Sequence, residues 1–113
     1  MITRIKISRS ATGTFTANAA KYQGSYHASL TPNIILRNAL MFSIANDDKL
    51  TDEVLDNGGT EFQISTLLGA DSDIYFSLIN HYYGKQLEDE KMKSVICFHI
   101  EKGLKNKDFI DIF

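Results

Sequence analysis

One proline and a few well-placed glycines cut this chain into short apolar segments, and that punctuation limits the fold more than any other feature. Thr31-Pro32-Asn33 reads as a helix start. Thr31 is a capping residue type, and Pro32 at the first helical position gives up only an amide that has no intrahelical partner. The segment that follows, IILRNALMFSIAN, puts Leu36, Ala39, Leu40 and Ser43 on one stripe with Arg37 off it, and Asp47-Asp48 end it. Asp71 or Ser72 caps a further helix whose apolar face is Tyr75, Leu78, Ile79, Tyr82 and Tyr83 and which Gly84 stops. Glu88–Glu90 open a last long helix with Met92, Val95, Ile96 and His99 on one side. Lys102 sits in its final turn and Gly103 just past it, as dipole and C-cap preferences require.

The remaining segments are less regular. Residues 10–29 fit one helix, with Phe15, Ala19, Tyr22, Tyr26 and Leu30 along its apolar face. A parallel line of small residues, Ala17, Ala20, Gly24 and Ala28, is the candidate contact with a second copy of the chain, although Lys21 beside it opposes tight burial. Residues 2–8 (ITRIKIS) alternate, with Ile5 and Ile7 on one side and Arg4, Lys6 and Ser8 on the other, as in a short extended segment with a basic face. Gly58-Gly59 is a breaker. Thr60–Leu68 suits strand or helix, and helix is the expectation because its surroundings are helical. The apolar tail, with Phe109, Ile110, Ile112 and Phe113, should dock onto the core or a neighbour. The expected fold is mostly α: a compact single helical domain over 1–113, with four to five helices and one short extended N-terminal segment.

At 113 residues the chain suits one domain with an ordinary core. A single cysteine, Cys97, cannot form an internal disulfide, so a reducing, cytoplasmic setting is expected. MITRIKISRS has no apolar signal region, and no apolar run is long enough to span a membrane.

Charge is segregated. Residues 1–46 hold Arg4, Lys6, Arg9, Lys21 and Arg37 and no acid; residues 47–90 hold eleven acids against Lys49 and Lys85; residues 91–113 hold five lysines and three acids. The sums of +5, −9 and +2 recover the formal −2. A basic surface of this kind is where phosphates dock. The candidate DNA contacts are therefore Arg4, Lys6, Arg9, Lys21, Arg37 and Lys102, with Lys105 and Lys107 nearby.

Catalytic patterns are lacking. Cys97 and His99, two apart, would point in different directions from a helix, and Cys97 reads as packing. His27, His81 and His99 have no metal spacing, and no CxxC occurs, so no metal or cofactor is expected. His99 on an apolar stripe reads as a hydrogen-bonded core or interface residue. Asp47, Asp48, Asp52, Glu53 and Asp56 lack the loop pattern of a calcium hand and read as a solvated acidic face. No glycine-rich phosphate loop is present, so an enzyme acting by itself is not expected.

The order of motifs carries a resemblance. TPNIILRNAL leads into Ser43-Ile44; GTEF begins at Gly59; TLLG begins at Thr66; Asp71, Tyr75 and Leu78 follow; HIEKG begins at His99. This succession resembles the DndE family, the small subunit of bacterial DNA sulfur-modification (phosphorothioation) systems, over roughly residues 5–104. The resemblance implies a cytoplasmic protein that acts with cysteine desulfurase and iron–sulfur partners and contributes DNA binding or complex assembly rather than sulfur transfer. The lack of an iron–sulfur cysteine set agrees with this. Arg37 and Lys102 are the basic positions inside matched motifs; Lys21 lies outside them.

The leading expectation is thus an oligomeric accessory subunit that grips double-stranded DNA phosphates without reading bases. The alternatives are a ribbon-helix-helix regulator, suggested by ITRIKIS followed by two helices, and a pure protein-assembly module built on the acidic middle and apolar tail.

Overall fold

A computed structural model describes residues 2–24, 31–51 and 55–112. The order of elements is β1 (Arg4–Lys6), α1 (Arg9–Ala17), α2 (Ala19–Gly24), α3 (Pro32–Ala45), β2 (Glu61–Gln63), α4 (Ile64–Leu67), a single 3-10 turn at Gly69–Asp71, α5 (Ser72–Tyr83), α6 (Asp89–Lys105) and α7 (Lys107–Asp111). The mostly α expectation holds, although several helices are only a turn or two long. Tyr26, His27, Ala28 and Leu30, placed on a helix by their spacing, lie outside the described residues. No helix among the described residues is long and apolar enough to cross a membrane.

The core is built around α6. Most soluble helices bury one stripe, but the second half of α6 is buried on nearly every side: Phe98, His99, Ile100, Glu101, Gly103 and Leu104 are all inaccessible. Its principal partner is α3, which presents Ile35, Leu36, Ala39, Leu40 and Ser43, the expected stripe with one addition. The two helices meet at Gly103. A Cβ there would stand 2.0 Å from the Ala39 carbonyl oxygen, so only glycine allows the crossing. Gly103 is therefore a packing residue inside α6 and not its C-cap. The helix continues to Lys105, and Asn106 turns the chain by accepting a hydrogen bond from the Asp108 amide. That turn brings Phe109 down onto Phe42, with ring centroids 5.4 Å apart, so the tail docks on the core through Phe109, while Ile112 stays exposed and Phe113 lies outside the described residues.

Three segments differ from the expectations. Residues 10–29 are not one helix, because α1 ends at Asn18, whose amide folds back on the Thr14 and Phe15 carbonyls before α2 begins. Ala17 and Ala20 are exposed, but on two separate helices, which breaks the continuity of the small-residue line. Second, TEFQISTLL is strand then helix. Its first half pairs antiparallel with β1, with Arg4 opposite Gln63, Ile5 opposite Phe62 and Lys6 opposite Glu61. The partner lies more than fifty residues away, so no local pattern announces it. Third, Thr31 and Asp71 occupy N-cap positions but make no side-chain capping bond.

Gly59 locks the ribbon to the start of α1. Its amide donates to the Ile7 carbonyl at 3.0 Å, and a Cβ would meet the Ser8 carbonyl oxygen at 2.3 Å. The strand alternation is as expected for Ile5 and Ile7, both buried, with Arg4 and Lys6 outside. Ser8 departs from it. It is buried, caps α1 by accepting from the Ala11 amide, and donates its hydroxyl proton to the buried carboxylate of Glu101.

Candidate nucleic-acid interface

The cationic residues divide into three groups. Arg4 and Lys6 project from β1 because Ile5 between them is turned into the core, and Arg9 follows as the first residue of α1. All three are exposed. Arg4 Nη1 lies 3.8 Å from Glu61 Oε2 across the ribbon. Lys6 faces the same glutamate in register. The Arg9 guanidinium lies over Gly58, and its own amide, with that of Gly58, donates to Asp56 at 2.9 and 2.8 Å. Those backbone donors hold the Asp56 carboxyl below the usual carboxylate range.

Lys21 forms the second group. It stands 3.9 Å from Asp111 on α7, which also takes Lys107 at 2.8 Å, so one carboxylate ties α2 to the tail helix. The third group works inside the fold. Arg37 donates from Nε to the Leu67 carbonyl at 3.0 Å and from Nη2 to that of Thr66 at 3.4 Å. It thereby satisfies the orphan carbonyls at the end of α4. Lys102 is half-buried with its ammonium 5.6 Å from the centre of the Phe98 ring, a cation–π distance. Arg37 and Lys102 are thus committed within the chain, in contrast to the exposed cations of the N-terminal corner.

The structure adds a cation that the sequence reading passed over. Lys93 on α6 joins Arg4 and Lys6 around a cleft of about 560 Å³. Lys93, Cys97 and Glu101 recur every fourth residue, and that stripe faces β1: the Cys97 thiol donates to the Lys6 carbonyl at 3.1 Å. The same cleft carries Asp56, Glu61 and Glu90, with Glu90 3.4 Å from Lys93. Cations and carboxylates therefore interleave here, where the sequence alone suggested an acid-free face. Burial, reinforced by the Glu101 charge, pushes the Cys97 thiol up to about 12, so it stays protonated at neutral pH.

His99 is the hub of a buried polar chain. Ser43 donates to Asp48 at 2.8 Å, which leaves its oxygen to accept from His99 Nδ1 at 2.7 Å. His99 Nε2 then accepts from the Tyr83 hydroxyl at 2.6 Å. Asp48 reaches Ser43 because Asp47 adopts a left-handed conformation (φ 57°) just past α3, which lets the chain fold back. Tyr82 donates to Asp47 and secures the same corner. This chain links α3, α5 and α6, and it supports the reading of His99 as a hydrogen-bonded core residue.

Strand β1, the segment that a ribbon-helix-helix arrangement would use, is paired within its own chain, whereas such a dimer pairs the strands of two chains. That removes the structural motive for a base-reading regulator.

Comparison with known proteins agrees with this architecture. The structure of DndE from Escherichia coli B7A, described as involved in DNA phosphorothioation modification, superposes with a TM-score of 0.75. It has 21% identity and covers 93% of this chain and 97% of that one. A DndE G21/24K mutant structure gives 0.72, also at 21% identity, covering 92% and 94%. No curated protein matches the sequence. The model of the family described as DNA sulphur modification protein DndE matches residues 4–108, nearly the whole described fold, and this chain belongs to that family.

Proposed function

We propose that this chain is a DNA-backbone-binding accessory subunit of the DNA phosphorothioation machinery, holding duplex phosphates without base specificity while other proteins of the system perform the sulfur chemistry. The observation that carries this reading is the N-terminal corner. Arg4, Lys6 and Arg9 fall within six residues, all exposed, on a strand and helix start that Gly59, Ser8 and Glu101 hold in place. Lys6 makes no ion pair among the described residues. The Arg4 pair with Glu61 is open to water, the two side chains being 64% and 44% exposed. An exposed pair of this kind contributes at most about 1 kcal/mol, so a phosphate can displace the carboxylate at little cost. Lys21, half-exposed beside Asp111, can exchange in the same way. Lys93 on the facing wall of the cleft extends the set, whereas Arg37 and Lys102 serve the fold.

Five cations per chain are few for tight binding. Assembly into a homo-oligomer, with the exposed Ala17 of α1 and Ala20 of α2 as candidate contacts, would multiply them. Cys97, held as a thiol, supports a role in binding rather than sulfur transfer. The chain would work in the cytoplasm, where DNA and its modifying partners meet.

Fluorescence anisotropy with a duplex of arbitrary sequence tests the reading. Binding at low salt should be tighter than ~10 µM, similar for unrelated sequences, and steeply weakened by added salt. Replacing Arg4, Lys6 and Arg9 by Glu together should abolish it. Strong preference for one sequence, or indifference to that triple replacement, would reject it.

A further inference from the structure

We propose that the outer face of α5 is a docking surface for another protein, one whose contacting segment carries apolar side chains flanked by Lys or Arg. Helix α5 is apolar on two sides. Its inner side is accounted for: Ile79 is fully buried, Tyr83 joins His99, and Asn80 accepts from the Leu87 amide. Its outer side presents Ile74 at 57% exposure and Leu78 at 47%, one turn apart and therefore adjacent. A helix that is apolar beyond its core-facing stripe is normally covered on both sides. Single exposed leucines are common, but two large aliphatics stacked on one helix face, next to the half-buried Tyr75 and Tyr82, make a continuous patch.

Charge selects the occupant. Asp71 and Asp73 are exposed at the N-terminal end of this face, and neither forms an ion pair among the described residues. Helix α5 itself contains no Lys or Arg. Two copies packed α5 against α5 would bring together four carboxylates from these positions and no Lys or Arg from either helix, only the exposed His81 of the last turn. A segment of another protein that supplies both the apolar contact and the cations satisfies the patch and its rim together. The face is also held rigid before contact, because Tyr82 and Tyr83 anchor α5 to the α3–α6 core through Asp47 and His99, which limits the ordering cost of association. None of the cations assigned above to DNA lies on α5, so both surfaces can be occupied in one assembly.

The test uses the purified full chain and the other purified proteins of the same sulfur-modification system, each titrated against it by calorimetry. One of them should bind, more weakly as salt rises. Ile74→Ser with Leu78→Ser should weaken that binding by about tenfold or more. Asp71→Lys with Asp73→Lys should weaken it separately. Both double variants should keep the circular dichroism of the parent, since all four positions are exposed, and the Ile74/Leu78 pair, which alters no charge, should leave DNA anisotropy unchanged. Binding that neither double variant moves, or no binding by any of these proteins, would overturn the proposal. So would light scattering in which the Ile74/Leu78 pair dissolves an oligomer of the chain itself, because the face would then belong to a second copy. The unchanged DNA signal keeps failure here distinct from failure of the DNA-binding reading.

Discussion

Acidification should weaken this fold through a single imidazole. His99 is fully buried, and burial pulls its pKa from 6.5 down to about 4, with Asp48 opposing only in part. Its hydrogen bonds are those of a neutral ring: Nδ1 donates to Ser43 and Nε2 accepts from Tyr83. Between pH 6.5 and 4 the unfolded chain takes up a proton that the folded chain refuses, so stability falls as pH falls through that window. It is fully present above the upper limit and fully lost below the lower one. A drop of two and a half units at 1.36 kcal/mol each amounts to about 3 kcal/mol, of which about 2 should already be lost by pH 5. That is a large share of a small domain's stability. Urea melts of the parent and His99→Gln at pH 7, 6 and 5 isolate the effect, because the carboxylates are common to both chains. The advantage of the parent over the variant should shrink by about 2 kcal/mol between pH 7 and pH 5. A difference that stays flat, or an imidazole resonance of His99 with a midpoint near 6.5, would refute the reasoning.

Other positions give sharper local tests. Gly103→Ala forces a methyl into the Ala39 backbone and should cost about 3 kcal/mol or prevent folding, read by thermal melting. Ser8→Ala removes the cap of α1 and the donor to buried Glu101, and should cost about 2 kcal/mol in urea unfolding. Tyr83→Phe leaves His99 Nε2 buried without a donor and should cost about 1–3 kcal/mol in the same assay. A thiol reagent at pH 8 should label native Cys97 at least about 100-fold more slowly than the urea-unfolded chain, because the folded thiol has far less thiolate and lies against Lys6.

Features set by neighbouring residues could be read from the sequence. Pro32 opens α3, and the Leu36, Ala39, Leu40 and Ser43 stripe is the one buried. Gly84 ends α5 in the left-handed conformation (φ 73°), as a glycine C-cap should. Features set by distant contacts could not. Strand β2 is three residues long and exists because β1 pairs with it. Gly103 resembles a C-cap because it follows Lys102, and only the Ala39 backbone reveals its role. The cations show the same division. The alternation of ITRIKIS correctly turns Arg4 and Lys6 outward, but linear charge counting cannot see Glu61 and Asp56 folding back beside the N-terminal corner. Nor could it show Arg37 spanning to the Thr66 and Leu67 carbonyls. His99 could be expected to sit in the core; that Ser43 and Tyr83 would bracket it could not.

The salt dependence of DNA binding tests the central claim most directly. For the parent chain on a short duplex, the logarithm of the association constant should fall linearly with the logarithm of salt concentration. With Arg4, Lys6 and Arg9 all replaced by Ala, the slope should become shallower by about 3, close to one counterion per lost phosphate contact. An identical slope in both proteins would place the DNA contacts elsewhere and contradict the assignment of the N-terminal corner.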